Sequence, residues 1–398
     1  MGLDISRKSS YHIFSILFSI LIISILTSGF FKPKLIVKRI LPKYGSANQP
    51  LSYNLKVKNI KNKEELSIFY KDRFNDSLPT VKEFITIPEP NEKKRNLWDR
   101  NLLYYRWLFL LKEKRIVKTK LIELPKIPPN NEITTKIEFL PTKRGVLNFK
   151  LSLLSKPDIF SMFRSVKYIL NKDEILILPQ RFLLTPPNLN SQKLNNGLNT
   201  DFLSSTGNGN EFFALRDYRS GDSIKDIHWK SWAKRGKPII KEYQKTSFSK
   251  KAIILDPYSQ NNEIFEISIS LTASYIAPLN NKTTTINKIL INNYSSKIRN
   301  NKNNILTYLA KLQMKPEAFE FNFLKNELKT ITGTVIILNN LDDNRIAFLN
   351  YLKELKIETY IILVTNLNFN KAYRHIINQY DIKIININQL NKDLKKLL

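Results

Sequence analysis

The chain's densest group of chemically capable side chains lies between Gly207 and Tyr243. His228 follows Asp222 and Asp226 at short range, and a histidine beside a carboxylate can serve as a general acid or base. No serine in this stretch has the context of a nucleophile elbow, and the chain contains no cysteine. Acid/base chemistry at His228 is therefore one hypothesis, without an evident nucleophile to accompany it.

Anion binding is a second hypothesis for the same stretch. Gly207-Asn-Gly209 offers backbone N–H groups and Arg216 offers a guanidinium, which together suit a negatively charged group. The Gly-x-Gly lacks the Lys-Ser/Thr of a nucleotide loop and does not stand between a strand and a helix. A nucleotide site is thus not favoured, while a general anion site stays open.

A structural role is the third hypothesis. Arginines and aspartates alternate at short range and can lock a turn-rich segment through charge-assisted hydrogen bonds. These residues are Arg216, Asp217, Arg219, Asp222 and Asp226. Gly221 allows a positive φ, and Asp222 can cap a following helical turn. Trp229 and Trp232 are then expected to act as buried apolar anchors.

The N-terminus reads as a membrane anchor over residues 1–33. Ile13–Phe31 is uncharged and apolar, and such a helix nearly spans a ~30 Å hydrocarbon core. A cleaved signal peptide is the alternative, although the exit Thr27–Pro33 lacks a small-x-small cleavage site. More cations follow the apolar run than precede it, which predicts a single-pass protein of the cell membrane whose soluble part faces the cytoplasm.

Residues 34–180 read as a β-rich domain. Period-two alternation in Leu51–Lys58, Thr135–Phe139 and Gly145–Leu153 predicts antiparallel strands in a small sandwich or barrel. Within it, Leu97–Val117 mixes aromatic and basic residues. This segment is interpreted as an aromatic strand pair buried in the sheet, and an interfacial segment on the bilayer is the alternative.

Residues 181–249 begin with a loop at Leu183–Asn210, rich in Asn, Ser, Pro and Gly, and residues 250–398 alternate between strand and helix patterns. The predicted strands are Lys251–Asp256, Thr334–Leu338, Glu358–Val364 and Lys383–Ile387, and the predicted helices are Glu263–Ala277 and Asn344–Leu355. This rhythm predicts a doubly wound α/β domain with a parallel sheet. The fold class is therefore α+β multidomain.

Gly207–Tyr243, hereafter the signature segment, closely resembles the signature of the domain of unknown function 58 family. The resemblance is carried by Glu211, Arg216, Asp217, Tyr218, Gly221, Asp222, Ile227, His228, Trp229, Lys230, Ala233 and Lys241. It implies an anchored protein with a von Willebrand A-like C-terminal domain. It also implies a non-enzymatic scaffold or adaptor that works with a MoxR-type AAA+ ATPase in protein assembly or maturation.

Intact von Willebrand A-like domains of the resembled family hold a divalent cation with Asp-x-Ser-x-Ser after the first strand. This chain has Asp256-Pro-Tyr258-Ser259-Gln260, and an asparagine, Asn339, where a second acid is expected. A hard cation needs several oxygen ligands. The prediction is a degenerate site at Asp256 and Ser259 with no metal and no cofactor. Asp342 and Asp343 lie just beyond and are not expected to compensate.

The overall charge leaves one further function open. The chain has 398 residues and a formal charge of +30, a field that favours nucleic acid or anionic lipid. Its lysines are accompanied by abundant Asn and Ile, a composition that codon bias also produces. Because the cations are spread along the whole chain and not gathered in one stripe, nucleic acid is not the expected partner. Binding to nucleic acid or anionic lipid stays as the alternative to the scaffold.

Overall fold

The computed structural model describes most of the chain, namely residues 8–29, 33–90, 92–185, 187, 189, 211–244, 251–259, 261–278, 286–292, 294–298, 301–315, 321–366 and 371–397. The protein divides into two compact units. The first comprises Met1–Arg181 with Asn303–Gln313, and the second comprises Phe182–Lys302 with Met314–Leu398.

The predicted apolar helix is present as α1, Lys8–Gly29. Its segment Tyr11–Gly29 has a mean hydropathy of 2.0 and is long and apolar enough to cross a membrane. Most of its large apolar side chains, such as Phe14 and Leu17, are exposed. A helix that carries apolar residues on all sides and does not bury them in protein is suited to lipid. The signal-peptide alternative predicts the same helix.

The remaining elements of the first unit are mostly strands. In chain order they are β1 (Leu35–Ile40), β2 (Tyr44–Ser46), β3 (Leu51–Asn59), β4 (Phe69–Phe74), α2 (Val81–Thr86), α3 (Leu97–Leu102), α4 (Tyr104–Lys114), β5 (Val117–Thr119), β6 (Ile122–Glu123), β7 (Glu132–Pro141), β8 (Gly145–Pro157) and β9 (Arg164–Leu178). They form one sheet in the order β1-β3-β7-β5 and another in the order β2-β9-β8-β4-β6.

These two sheets enclose one apolar core, which is the sandwich and not the barrel of the two predicted forms. Tyr53, Leu55 and Val57 face inward at alternate positions of β3, with Lys56 and Lys58 on the outer side. Phe149 from the other sheet packs edge-on against Tyr53, with ring centroids 5.8 Å apart. The same cluster of buried side chains includes residues from both sheets, which is the packing of a β-sandwich.

The interpretation of Leu97–Val117 as a buried strand pair is wrong. Most of this segment is helical, and Leu97 and Trp98 are 73% and 81% exposed. Local caps explain the difference, because Asn96 caps α3 and a Thr80–Glu83 capping box starts α2. Those signals outweigh the β-propensity of the aromatic residues.

The remaining elements belong to the second unit, except for most of α7. They are β10 (Glu211–Asp217), α5 (Trp229–Arg235), β11 (Ile239–Gln244), β12 (Lys251–Leu255), α6 (Asn262–Ile276), β13 (Lys288–Ile291), β14 (Tyr294–Lys297), α7 (Lys302–Lys311), α8 (Lys325–Leu328), β15 (Gly333–Leu338), α9 (Asp343–Glu354), β16 (Glu358–Thr365), α10 (Lys371–Gln379), β17 (Lys383–Asn386) and α11 (Leu390–Leu394). Within α7, residues 303–311 belong to the first compact unit.

A six-stranded sheet in the order β14-β13-β12-β15-β16-β17 organises this unit. All neighbouring strands are parallel except for the edge pair β13–β14. Numbered along the chain, the strands run 3-2-1-4-5-6, which is the order of a doubly wound sheet. All six predicted strands and helices of residues 250–398 are present, because fully buried runs such as Ile253–Leu255 give a clear pattern.

Candidate functional site

The edge of the sheet at which β12 and β15 end carries the most buried charge of the second unit. Asp256 directly follows β12, and Asn339 directly follows β15. The two strands are parallel neighbours, so these residues come together at one edge. The strand order reverses between β12 and β15, and ligands of open α/β sheets bind at such a switch point. We call Asp256, Asn339 and Arg345 the switch-point cluster.

Arg345 from α9 is the cation of this cluster. Its Nε donates a hydrogen bond to Oδ2 of Asp256 at 2.7 Å, and its Nη2 lies 2.7 Å from the same oxygen. Nη2 also donates to the carbonyl oxygen of Tyr258 at 3.1 Å. Asp342 caps α9 through the Arg345 N–H at 2.9 Å and pairs with Nη1 of Arg345. The Arg345 side chain is 5% exposed and that of Asp256 is fully buried.

Backbone and amide groups complete the surroundings of Asp256. The N–H of Tyr258 donates to Oδ1 at 2.9 Å, and the N–H of Asn339 donates to Oδ2 at 3.4 Å. The Asn339 amide nitrogen in turn donates to the carbonyl oxygen of Asp256 at 2.7 Å. Burial raises the pKa of the Asp256 carboxyl, and Arg345 and the two backbone donors oppose that effect.

These residues do not fit a divalent cation. Both carboxylate oxygens of Asp256 accept hydrogen bonds from N–H groups. The Ser259 hydroxyl donates to the carbonyl oxygen of Asn261 at 2.9 Å and so takes part in the start of α6. Within the described residues no group of three or more His, Asp or Glu side chains is placed to hold a metal. A hard cation at Asp256 would lack oxygen ligands and would face a guanidinium.

The signature segment is built on the antiparallel pair β10–β11. Arg216 forms a two-pronged ion pair with Asp222, with Nη–Oδ distances of 2.6 and 2.7 Å. The Arg219 N–H also donates to Asp222 at 2.7 Å. Hydrogen bonds from Arg216 and from the Arg219 backbone lower the pKa of Asp222 to about 2. The predicted Arg–Asp lock is confirmed for this pair, and Gly221 has the expected positive φ of 103°.

Asp217 and Arg219 take part in the lock through their backbones. Arg216 donates to the carbonyl oxygen of Asp217 at 3.0 Å, and the Arg219 N–H donates to Asp222 as given above. Among the described residues, no side-chain contact joins Asp226 to the Arg216–Asp222 pair. Asp222 does not cap the following turn, which begins after Ser223 without a side-chain cap. The carboxylate of Asp222 is instead oriented toward Arg216 and the Arg219 N–H.

His228 acts as a helix cap. Its Nδ1 accepts a hydrogen bond from the Ser231 N–H at 3.3 Å and lies 2.6 Å from the Ser231 hydroxyl, at the start of α5. Its own N–H donates to the carbonyl oxygen of Ile239 at 2.8 Å. The contacts of His228 within the described chain include no carboxylate, so the orienting acid of an acid/base site is not supplied by Asp222 or Asp226.

Trp229 does not act as a buried apolar anchor, whereas Trp232 is half-buried. Trp229 is 60% exposed and stacks on Trp232 with centroids 5.2 Å apart. The buried apolar side chains of the segment are instead Ile227, Ile239 and Ile240, and Ile227 bridges to Ile240.

The other signature residues lie mostly at the surface. Tyr218, Lys230 and Ala233 are exposed, and Lys241 is half-buried on β11. Glu211 pairs through its backbone with Gln244. Gly207-Asn-Gly209 and most of the predicted Leu183–Asn210 loop lie outside the described residues.

Comparisons with known proteins give no family. No family model and no curated protein matches the chain. Solved structures that match include a CARDB domain from Pyrococcus furiosus, at 14% identity over 36% of this chain and 94% of that one, with a TM-score of 0.20. A cohesin module from a Clostridium perfringens family 33 glycoside hydrolase matches at 9% identity over 37% of this chain and 98% of that one, with a TM-score of 0.19.

Two cations at apolar positions of the sequence pattern indicate the buried charges, which the motifs alone do not predict. Arg345 occupies the buried stripe of α9 that continues with Phe348, Leu349 and Leu352, at helical spacing. Arg39 occupies the inward alternation of β1 after Leu35 and Val37. A cation at an apolar position of such a pattern indicates a buried ion pair, because an unpaired charge is not tolerated there.

Proposed function

We propose that the chain is a membrane-anchored, non-enzymatic scaffold of the domain of unknown function 58 family. In this proposal its C-terminal domain is von Willebrand A-like, and the Arg345 guanidinium stands in for the divalent cation of intact relatives. The buried Arg345–Asp256 pair at the switch point is the observation that carries the proposal. A MoxR-type AAA+ ATPase is the proposed partner, in the assembly or maturation of other proteins.

The position of the pair supports the von Willebrand A-like assignment. The resemblance expects a cation site from an acid after the first strand and a second acid after a later one. Asp256 and Asn339 follow β12 and β15 and meet at the sheet edge where a doubly wound domain binds its ligand. With Arg345 neutralising Asp256 internally, this edge needs no metal ion and presents a fixed surface.

The signature segment supports a structural and not a catalytic role. Its charged pair Arg216–Asp222 is satisfied within one turn, and His228 is engaged as the cap of α5. A general base must be free to take a proton from a substrate group. The Nδ1 atom of His228 already accepts a hydrogen bond from the Ser231 N–H. In this proposal the segment therefore stabilises the surface around it and does not catalyse a reaction.

The apolar helix and its flanking charge support the anchoring. Tyr11–Gly29 suits a bilayer in length and composition, and Lys34, Lys38, Arg39 and Lys43 follow it. Arg39, however, is buried in the sandwich, so it contributes less to topology than the exposed lysines. The proposed orientation places both compact units in the cytoplasm, where an ATP-driven partner also resides.

Capture of the partner tests the proposal. The full chain, with α1 intact and an affinity tag, is extracted from membranes in mild detergent and its bound proteins are identified. The proposal expects a MoxR-type ATPase to be recovered with the wild type, and an unrelated single-pass membrane protein serves as the control. Failure to recover any AAA+ ATPase above that control contradicts the partnership.

A second candidate function is binding of anionic lipid or nucleic acid by the signature segment. One observation favours it, namely a group of exposed cations beside the exposed ring of Trp229. These cations are Arg219, Lys225, Lys230, Lys234, Arg235 and Lys237. Binding through them weakens steeply with salt as counterions are released. Weak binding to anionic vesicles and to DNA at low salt rules this candidate out.

A further inference from the structure

The turn that joins β8 to β9, residues 158–163 and hereafter the apolar turn, exposes four large apolar side chains. They are Ile159, Phe160, Met162 and Phe163, with exposures of 74%, 45%, 53% and 40%. A cluster of this kind in water is unfavourable and marks a contact surface.

The apolar turn is fixed in shape. The Asp158 carboxylate accepts hydrogen bonds from the N–H groups of Phe160 at 3.1 Å and Phe163 at 2.8 Å. The Asp158 N–H donates to the carbonyl oxygen of Phe163 at 3.0 Å, and Ser161 adopts a positive φ of 57°. The exposed apolar groups are therefore held outward by a closed turn and do not result from a loose loop.

The hairpin runs alongside the C-terminal part of α1. The Ser24 hydroxyl donates to Asp158, and the Ser165 hydroxyl donates to the carbonyl oxygen of Ser28. Further along β9, the Lys167 ammonium donates to the carbonyl oxygen of Pro33 at 2.7 Å. The turn is thus level with Ser24, and β9 leads back along the helix toward its end.

We propose that the apolar turn inserts into the membrane beside α1, as a second and shallow lipid contact. The inference rests on the proposed anchoring of α1. Ser24 lies five residues before the end of α1 at Gly29, which is ~7.5 Å at ~1.5 Å rise per residue. Interfacial segments bury apolar groups to about 5–10 Å, so the turn reaches the boundary between head groups and acyl chains.

The charges next to the turn fit this placement. Arg164 and Lys167 are exposed and follow the apolar residues directly along β9. Cations with long side chains at this level can reach the phosphates of the head groups. The single acid of the turn, Asp158, is shielded by Ser24 and by backbone N–H groups, so it does not oppose insertion as an unpaired carboxylate would.

Because the chain has no cysteine, single cysteines can report depth in the full-length protein in vesicles. Phe160→Cys and Met162→Cys label the turn, Leu21→Cys labels the middle of the apolar span Tyr11–Gly29, and Lys136→Cys labels an exposed site on β7. Each variant carries an environment-sensitive fluorophore. Lipids with a doxyl group near the head or deep in the acyl chain then quench its emission.

The proposal expects blue-shifted emission at both turn positions with the greatest quenching by the shallow doxyl lipid. Leu21→Cys should be quenched most by the deep one, and Lys136→Cys by neither. Turn positions that behave like Lys136→Cys, while Leu21→Cys is quenched, overturn the insertion and leave the anchoring intact. An unquenched Leu21→Cys overturns the anchoring, and the insertion with it.

Discussion

The Arg345 guanidinium donates to the fully buried carboxylate of Asp256 at 2.7 Å, across 89 positions of the sequence. The pair joins the start of α9 to the end of β12 at the switch point of the sheet. A buried pair of this kind does not by itself add much stability relative to apolar residues. Removal of one partner is nevertheless costly, since Asp256 would keep no counterion and Arg345 would keep only the partly exposed Asp342.

Removal of one partner of this pair is expected to destabilise the second unit strongly. Asp256→Asn keeps the shape of the side chain but leaves the buried Arg345 with only the partly exposed Asp342 as a counterion, which is expected to cost about 3 kcal/mol. Urea denaturation of the full chain in detergent micelles measures the change. Asp381→Asn is the matched control, because it breaks an exposed pair with Lys383 and should change the free energy of unfolding little. Equal effects from the two variants would contradict the account.

The first unit contains a comparable network around Arg39. Its guanidinium donates to Asp72 at 2.8 Å and to Ser152 at 2.7 Å, and the Tyr70 hydroxyl donates to Asp72 at 2.6 Å. Asp72→Asn is expected to lower the stability of the sandwich by about 3–5 kcal/mol, because Arg39 loses its buried partner.

Tyr70→Phe removes two hydrogen bonds of that network, to Asp72 and to Ser152, but no charge, and should cost about 1–2 kcal/mol. Thermal unfolding followed by near-ultraviolet circular dichroism measures both variants. Lys136→Gln, which breaks an exposed pair with Glu138, serves as the control. If Asp72→Asn lowers the stability no more than Tyr70→Phe does, the ion pair between Arg39 and Asp72 is not the main interaction that holds Arg39.

The Arg216–Asp222 pair makes a prediction about pH. The pKa of Asp222 is about 2 in the folded protein, below its ordinary value of about 3.9. Since folding lowers this pKa, the pair stabilises the segment above pH ~4 and loses that effect as the pH falls toward ~2. NMR titration of the Asp222 carboxyl carbon measures the pKa directly.

Arg216→Gln should return the pKa of Asp222 most of the way to its ordinary value. Arg219→Gln is the matched control, because Arg219 contacts Asp222 through its backbone N–H, which the substitution keeps. An equal shift in both variants would argue against the two-pronged pair as the main cause.

Two substitutions distinguish a helix-capping role of His228 from a chemical one. His228→Ala removes the acceptor for the Ser231 N–H and should cost about 1 kcal/mol, whereas His228→Asn supplies another good cap and should cost less. Thermal denaturation of the full chain in detergent gives both values. If both variants are as stable as the wild type, the cap does not stabilise the protein, and a chemical role for His228 becomes the better explanation.

Much of the architecture was predictable because it depends on periodicity. The alternation of Leu51–Lys58 and the buried run Ile253–Leu255 identify strands of both units without any knowledge of their partners. The short strands β13 and β14 and the helical insert at α2–α4 escaped prediction. In the insert, helix caps at Thr80 and Asn96 determine the structure, whereas the aromatic content alone predicts strands.

The candidate site was less predictable because its partners are distant in sequence. The absence of the hydroxyls and second acid around Asp256 was readable from the residues that follow β12 and β15. The group that replaces them could not be predicted, because Arg345 reaches Asp256 only when α9 packs on the sheet. Likewise, the pairing of Asp222 with Arg216 and not with its other neighbours depends on the turn at Gly221.

Calorimetric titration of Mg²⁺ and Mn²⁺ into the full-length protein in detergent tests the central claim most directly. With the Arg345 guanidinium holding Asp256, the wild type is expected to give no binding heat at micromolar concentrations of either ion. Micromolar binding that Asp256→Ala abolishes would contradict the claim that an internal cation has taken the metal's place.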